Sequence, residues 1–142
     1  MVAITLAEEA ARKTGVLVAP PVWTGWSPLH MALPGTIAIR TKILIELLFV
    51  IIKSLSQHGF KKSVLLNEHR IVNVVWMQIA AQRAQEEFKV KTVIFDPYYM
   101  SKEIAKELKH AGETEGSYML YIHPELSDLS KATDYSPEGD VI

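Results

Sequence analysis

The chain has 142 residues, of which 49% are hydrophobic and 22% are charged, and its formal net charge at pH 7 is -1. This composition is typical of a single globular domain with an apolar core, and it provides no basic surface of the kind that attracts nucleic acid. There is no cysteine, so disulfides and thiolate metal ligands are excluded, and a metal site would have to use His, Asp or Glu. The absence of cysteine favours the cytoplasm. The apolar run at 43–52 contains Glu46 and is about half of the roughly 20 residues that a membrane span needs, so we expect a buried core helix there and no membrane segment.

The predicted elements alternate between helices and strands. In chain order we predict a helix ended by Gly15, a strand at 16–22, a helix at 41–57, a strand at 61–67, a helix at 72–89, a strand at 90–95, and helices at 101–110 and 114–122. Apolar strands that alternate with amphipathic helices indicate βαβ units and therefore an α/β fold with a mainly parallel sheet covered on both faces. We expect residues 1–130 to form this domain and residues 131–142 to form a polar C-terminal tail.

Polar or aromatic segments follow each of the three predicted strands. They are the loop at 22–36, the sequence Asn67-Glu68-His69-Arg70, and the sequence at 96–99. In sheets of this kind ligands bind beyond the carboxyl ends of the strands, so we expect these segments to line one crevice.

Three histidines and one glutamate are the candidates for chemistry. His69 lies between a strand and a helix, although the same position also suits a capping turn built by Asn67. His110 and Glu115 are five positions apart and suit metal binding or acid–base work, or else a solvated helix N-terminus. His30 lies in the aromatic loop, where a structural role is the alternative. Trp23 and Trp26 of that loop could wall a pocket, fill the core or form a subunit contact.

Three stretches of the sequence resemble the creatininase family of metal hydrolases. They are VLVAPPVWTGWSPLHMALPGTIAIR, SLSQHGFKKSVLLNEH and HAGETEGSYMLYIHPEL, and they occur in the family's order. The resemblance implies a three-layer α/β/α sandwich that is commonly oligomeric. It also implies one or two divalent metals, with a metal-activated water that attacks the C–N bond of a cyclic amide or related small molecule.

The family pattern implies roles for individual residues. His69 and Glu115 would be metal ligands for Zn, Mn or Fe. The implied catalytic residues are His110, Glu115 and His30. As substrate-binding residues we predict Trp23, Trp26, Asn67 and Tyr98.

The chain also departs from the family pattern. The N-terminal E-x-H…D segment that supplies metal ligands is not in this sequence, Leu29 stands in place of a glutamate, and the two glycines after His69 are Arg70 and Ile71. Three readings remain open: one part of a hydrolase that needs a second subunit to supply ligands, a degenerate non-catalytic relative that acts in binding or assembly, or a truncation of a longer enzyme. We therefore expect an incomplete metal site, and either a homo-oligomer or a complex with a second subunit.

Overall fold

The computed structural model of the chain describes residues 1–97 and 112–132, and for residues 70–72 it describes the backbone alone. Within these ranges there are four α-helices and two β-strands, namely α1 (Val2–Thr14), α2 (Thr41–Gln57), β1 (Lys62–Leu66), α3 (Arg70–Phe88), β2 (Lys91–Phe95) and α4 (Glu113–Ile122). Their bounds lie within two residues of the predicted ones. The predicted helix at 101–110 and most of the predicted tail lie outside the described residues. No helix of the described part is long and apolar enough to cross a membrane.

The two strands pair in parallel and form a βαβ unit with α3. The register runs from Lys62 opposite Lys91 to Leu66 opposite Phe95, and on one face the hydroxyls of Ser63 and Thr92 are 3.0 Å apart. Because a parallel connection needs a crossover, α3 returns the chain to the amino end of the sheet. Both strands therefore end at the same edge, where the predicted crevice lies. The α/β fold with a parallel sheet is confirmed.

The core lies between the sheet and the pair α2 and α3. On α2 the buried side chains recur at helical spacing and are Leu44, Leu48, Phe49 and Ile52. On α3 they include Trp76, Met77, Ala80 and Ala84, and the small alanines permit a close approach of the helices. Leu65 and Ile94 pack against this cluster from the sheet. At the rim, the Arg83 guanidinium pairs with Glu46 and lies 4.3 Å from the centroid of the Phe49 ring.

The opposite face of the two-stranded sheet is exposed. Val64, Val93 and Phe95 point to this side and keep 68%, 49% and 36% of their surface accessible. Parallel sheets in α/β domains are normally covered on both faces, so an exposed apolar face of this kind is unusual. It is one of several apolar surfaces left open in the described part of the chain.

A second open surface is the segment that follows α1. Gly15 ends α1 in the left-handed conformation with φ of 73°, and residues 16–22 continue as irregular, exposed chain. The predicted strand at 16–22 is therefore wrong. Strand formation needs a hydrogen-bonding neighbour, and β1 and β2 pair only with each other. Instead, Gly25 makes an isolated bridge to Ala38, which closes the aromatic loop on itself.

Candidate functional site

The site begins with the connection between β1 and α3. The backbone N–H of Asn67 donates to the carbonyl oxygen of Phe95 at 2.8 Å, which continues the pairing past the end of the strands. Its side-chain Nδ2 donates to Oδ2 of Asp96 at 3.1 Å, and its Oδ1 accepts the backbone N–H of His69 at 3.2 Å. Asn67 and Asp96 keep only 3% and 6% of their surface accessible. Asn67 therefore links both strand ends to the residue that precedes α3.

The aromatic loop brings a second histidine to His69. The rings of His30 and His69 have centroids 5.8 Å apart and are tilted by 58°. His30 ends a short 3₁₀ turn at Pro28–His30, its Nδ1 lies 2.7 Å from Oγ of Ser27, and its carbonyl oxygen accepts a hydrogen bond from Oγ1 of Thr36 at 2.8 Å. Residues 30 and 69, which are far apart in sequence, thus meet at the carboxyl edge of the sheet.

A buried asparagine of α3 lies against the loop. Oδ1 of Asn73 accepts a hydrogen bond from Nε1 of Trp76 at 2.8 Å, and Nδ2 of Asn73 faces Gly25, where an added Cβ would lie 3.5 Å from it. The carbonyl oxygen of Gly25 accepts the N–H of Ile39 at 2.9 Å. Of the two loop tryptophans, Trp26 packs against the core, whereas Trp23 keeps 77% of its surface accessible.

Three carboxyl groups lie around this connection. The pKa of Glu68 is raised from its usual 4.5 to about 7, first by burial and then by the negative charges of Asp96 and Glu115, whereas the N-terminal amine acts to lower it. One carboxyl oxygen of Glu68, Oε1, is buried and accepts no hydrogen bond from the described residues. The starts of α1 and α4 thus lie within electrostatic range of the sequence that contains His69. A carboxyl that titrates near neutral pH can give or take a proton under working conditions.

The candidates from the sequence are only partly covered by the described residues. His110 and Tyr98 lie outside them. His30 and His69 are brought together, Glu115 lies partly buried in the first turn of α4, and its distance from His69 stays a prediction. Sequence reasoning did not select Glu68, Asp96, Ser27 or Asn73. The available signal was position, since Asp96 follows β2 directly and Ser27 precedes His30 by three residues.

The carboxylates and histidines do not fit a complete metal site by themselves. Within residues 1–97 and 112–132 no group of three or more His, Asp or Glu side chains is arranged to hold a metal ion. Structural and catalytic zinc sites use three or four protein ligands. The described residues therefore supply at most a part of such a site.

Comparison with known proteins finds one family whose model matches the whole chain. A family model described as creatininase, creatinine amidohydrolase, matches residues 1–142. The chain is 31% identical over 147 residues to 3-dehydro-scyllo-inosose hydrolase of Thermotoga maritima, covering 94% of this chain and 47% of that protein. It is 26% identical over 152 residues to creatinine amidohydrolase of Pseudomonas putida, covering 92% and 58%.

Two solved structures share the fold. One is a mutant creatininase complexed with creatine, with a TM-score of 0.80 and 23% identity over 96% of this chain and 62% of the other. The second is a mutant creatininase described as Zn–Zn type, with a TM-score of 0.77 and 22% identity over 96% and 61%. The chain spans about half the length of the curated relatives that it matches.

Proposed function

Because the chain belongs to the creatininase family, we propose that it supplies part of the active site of a hydrolase that opens a C–N bond of a cyclic amide or a related small molecule. The observation that carries this proposal is the meeting of His30 and His69 at the carboxyl edge of the sheet. Imidazole groups beside carboxyl groups are suited to acid–base chemistry and to metal binding. The names of both curated relatives describe hydrolases of small cyclic molecules. Only creatinine amidohydrolase supports the C–N bond, because an inosose contains no nitrogen.

In this proposal the residues have distinct tasks. His30, His110 and Glu115 handle protons, and His69 and Glu115 contribute ligands to a divalent metal, for which the Zn–Zn type of a solved relative is support. That metal would supply an activated water and polarise the bond to be cleaved. The described residues fall short of a ligand set, so in this proposal the remaining ligands come from residues outside the described ranges or from a further polypeptide.

Trp23, Trp26 and Tyr98 remain proposed substrate contacts. The side-chain oxygen and nitrogen of Asn67 both have partners within the protein. We therefore assign Asn67 to the positioning of His69 rather than to substrate contact.

We further propose that the chain works with a second polypeptide or a further copy. Residues 15–39 contain no Asp, Glu, Lys or Arg and expose large apolar side chains, and one face of the sheet is also open. Contiguous exposed apolar surface of this kind marks interaction sites in soluble proteins. The length difference from the relatives is consistent with an active site that needs more polypeptide than these 142 residues.

The alternative is a non-catalytic relative that acts in binding or assembly. The departures at Leu29, Arg70 and Ile71 favour it, because they replace a carboxylate and two glycines of the family pattern. It predicts that the residues at the strand ends serve only to cap α3 and join the strands.

A chimera would separate the two readings. The matched region of the Pseudomonas putida creatinine amidohydrolase would be replaced by this chain, and likewise for the Thermotoga maritima hydrolase, and turnover of creatinine and of 3-dehydro-scyllo-inosose would be measured with added Zn²⁺ or Mn²⁺. We expect no appreciable turnover by the isolated chain and measurable turnover by at least one chimera. His69→Ala should abolish that turnover, whereas His58→Ala, at the exposed end of α2, should not. A folded chimera without turnover would support the non-catalytic reading, and robust turnover by the isolated chain would refute the need for further polypeptide.

A further inference from the structure

A short chain of buried hydrogen bonds connects β2 to the histidine that precedes α3. It runs from the carboxylate of Asp96 through the amide of Asn67 to the backbone N–H of His69, with lengths of 3.1 and 3.2 Å. Both side chains are almost completely buried. Each contact is therefore made at low local dielectric, where a lost partner leaves an unsatisfied group and carries a high cost.

The carboxylate determines which way the amide of Asn67 points. An ionised carboxylate only accepts hydrogen bonds, whereas an asparagine amide presents a donor nitrogen and an acceptor oxygen. The nitrogen of Asn67 must therefore face Asp96, and the oxygen is left to face His69. Reversal of the amide would set two oxygens against each other on one side and two N–H groups on the other.

The orientation of the Asn67 amide bears on the positions of the two imidazole rings. His69 has its backbone N–H fixed by this amide, and its ring lies 5.8 Å from that of His30. His30 is held independently by Ser27 and Thr36. The amide of Asn67 is thus one link through which the β2 side of the sheet can influence the relative position of the two rings.

We infer that Asp96 is a positioning residue, which acts through Asn67 to hold His69 opposite His30. For its effect on turnover this inference rests on the proposed function. Displacement of a reacting group by about 1 Å is enough to cost roughly 100-fold in rate, so a residue that touches no substrate can control turnover.

The test uses the imidazole signals of the isolated chain, followed by NMR and assigned with single His→Gln variants. Asp96→Asn should shift the His69 ring signals and weaken the nuclear Overhauser contact between the His69 and His30 rings, while the circular dichroism spectrum stays that of the folded chain. Asp128→Asn, in an exposed turn after α4, is the matched control and should leave both signals unchanged.

A swap of the two side chains provides the decisive comparison. In the double variant Asn67→Asp with Asp96→Asn, the amide donates from position 96 and the carboxylate at position 67 accepts both that bond and the His69 N–H. We expect the double variant to recover the ring contact that the single variant loses. A merely structural role for the pair would restore stability without restoring this contact.

Two outcomes would overturn the inference: ring signals unchanged in folded Asp96→Asn, or a double variant no closer to the wild type than the single one. In an active chimera, Asp96→Asn should lower kcat by about 10- to 100-fold with KM little changed, as for other residues that orient an active-site group. Because the NMR readout needs no turnover, an inactive chimera with the expected ring shifts would remove the proposed function and leave this inference standing.

Discussion

Replacement of Glu68 by glutamine should stabilise the protein at neutral and alkaline pH. The folded state holds the pKa of Glu68 near 7, against its usual value of 4.5, mainly because the carboxyl is partly buried. Below pH 4.5 the group is protonated in the folded and unfolded states alike, and the associated stability is fully present. As the pH rises from 4.5 to 7 that stability is lost, because the unfolded state releases the proton first.

The size of the effect follows from the same pKa. The difference between 4.5 and about 7, at about 1.4 kcal/mol for each pH unit, gives an upper limit of roughly 3 kcal/mol. Because the side chain is only partly buried and solvent screens its charge, we expect about 1–2 kcal/mol. Glutamine keeps the shape of the protonated group and cannot ionise, so Glu68→Gln should gain this amount at pH 8 and nothing at pH 4.5.

The measurement is urea unfolding of both proteins between pH 4.5 and 8.5, followed by circular dichroism. Glu87→Gln, at an exposed position of α3, is the control and should show no pH-dependent gain. Equal stability of the Glu68→Gln variant and the wild type at pH 8 would refute the assignment of a buried, disfavoured carboxylate at this position.

Three further measurements test the packing and the assembly. Leu44→Ala should lower the free energy of unfolding by about 2–5 kcal/mol because Leu44 is 1% exposed. Leu47→Ala, on the exposed side of α2, should lower it by less than about 1 kcal/mol. Equal losses would contradict the assignment of the core face. Asn73→Ala should cost about 1–3 kcal/mol and alter the tryptophan fluorescence, because it leaves the buried Nε1 of Trp76 without its acceptor. Light scattering should give a mass above the 15.9 kDa of one chain, which Trp23→Lys should lower, and a monodisperse monomer in the absence of any partner would count against the assembly proposal.

The helices and paired strands follow from local patterns. In α2 the apolar residues are dense enough that its bounds were predicted without error, and the burial of Leu44, Leu48 and Ile52 shows which of its faces is turned to the core. The two strands of the βαβ unit are short apolar runs between polar ends, and their parallel pairing follows from the helix that separates them in sequence.

The wrongly predicted strand at 16–22 shows what local sequence pattern cannot predict. Residues 16–22 have the β-branched composition of a buried strand, yet they lie exposed and without sheet pairing. A strand is stabilised by pairing and packing with neighbouring strands. Composition alone therefore shows that a segment is able to pair, but it does not show that a partner strand is present. The same apolar residues then become exposed surface, which is why they enter the argument for assembly.

The candidate site likewise contains residues that the sequence predicted and residues that it did not. The meeting of His30 with the end of β1 was expected, because ligand-binding segments gather at the carboxyl edge of a parallel sheet. Glu68 was not selected because its raised pKa arises from burial and from the charges of Asp96 and Glu115. Asp96 was not selected because its burial and its hydrogen bond to Asn67 depend on the fold. Such properties depend on residues that are remote in sequence, and no pattern of neighbours reveals them.

The carboxyl at position 68 bears on the choice between an active and a degenerate protein. The family pattern has glycine between the asparagine and the histidine, and this chain instead places a glutamate there whose burial disfavours its charge at neutral pH. A capping turn gains nothing from that carboxyl, since Asn67 already makes the bonds that join the strands and hold the His69 N–H. A group that lowers stability, next in sequence to one histidine of the imidazole pair, is the kind of local conflict that functional sites carry. We therefore favour the catalytic reading, and stabilisation by Glu68→Gln together with a loss of turnover in an active chimera is the combination of results that it requires.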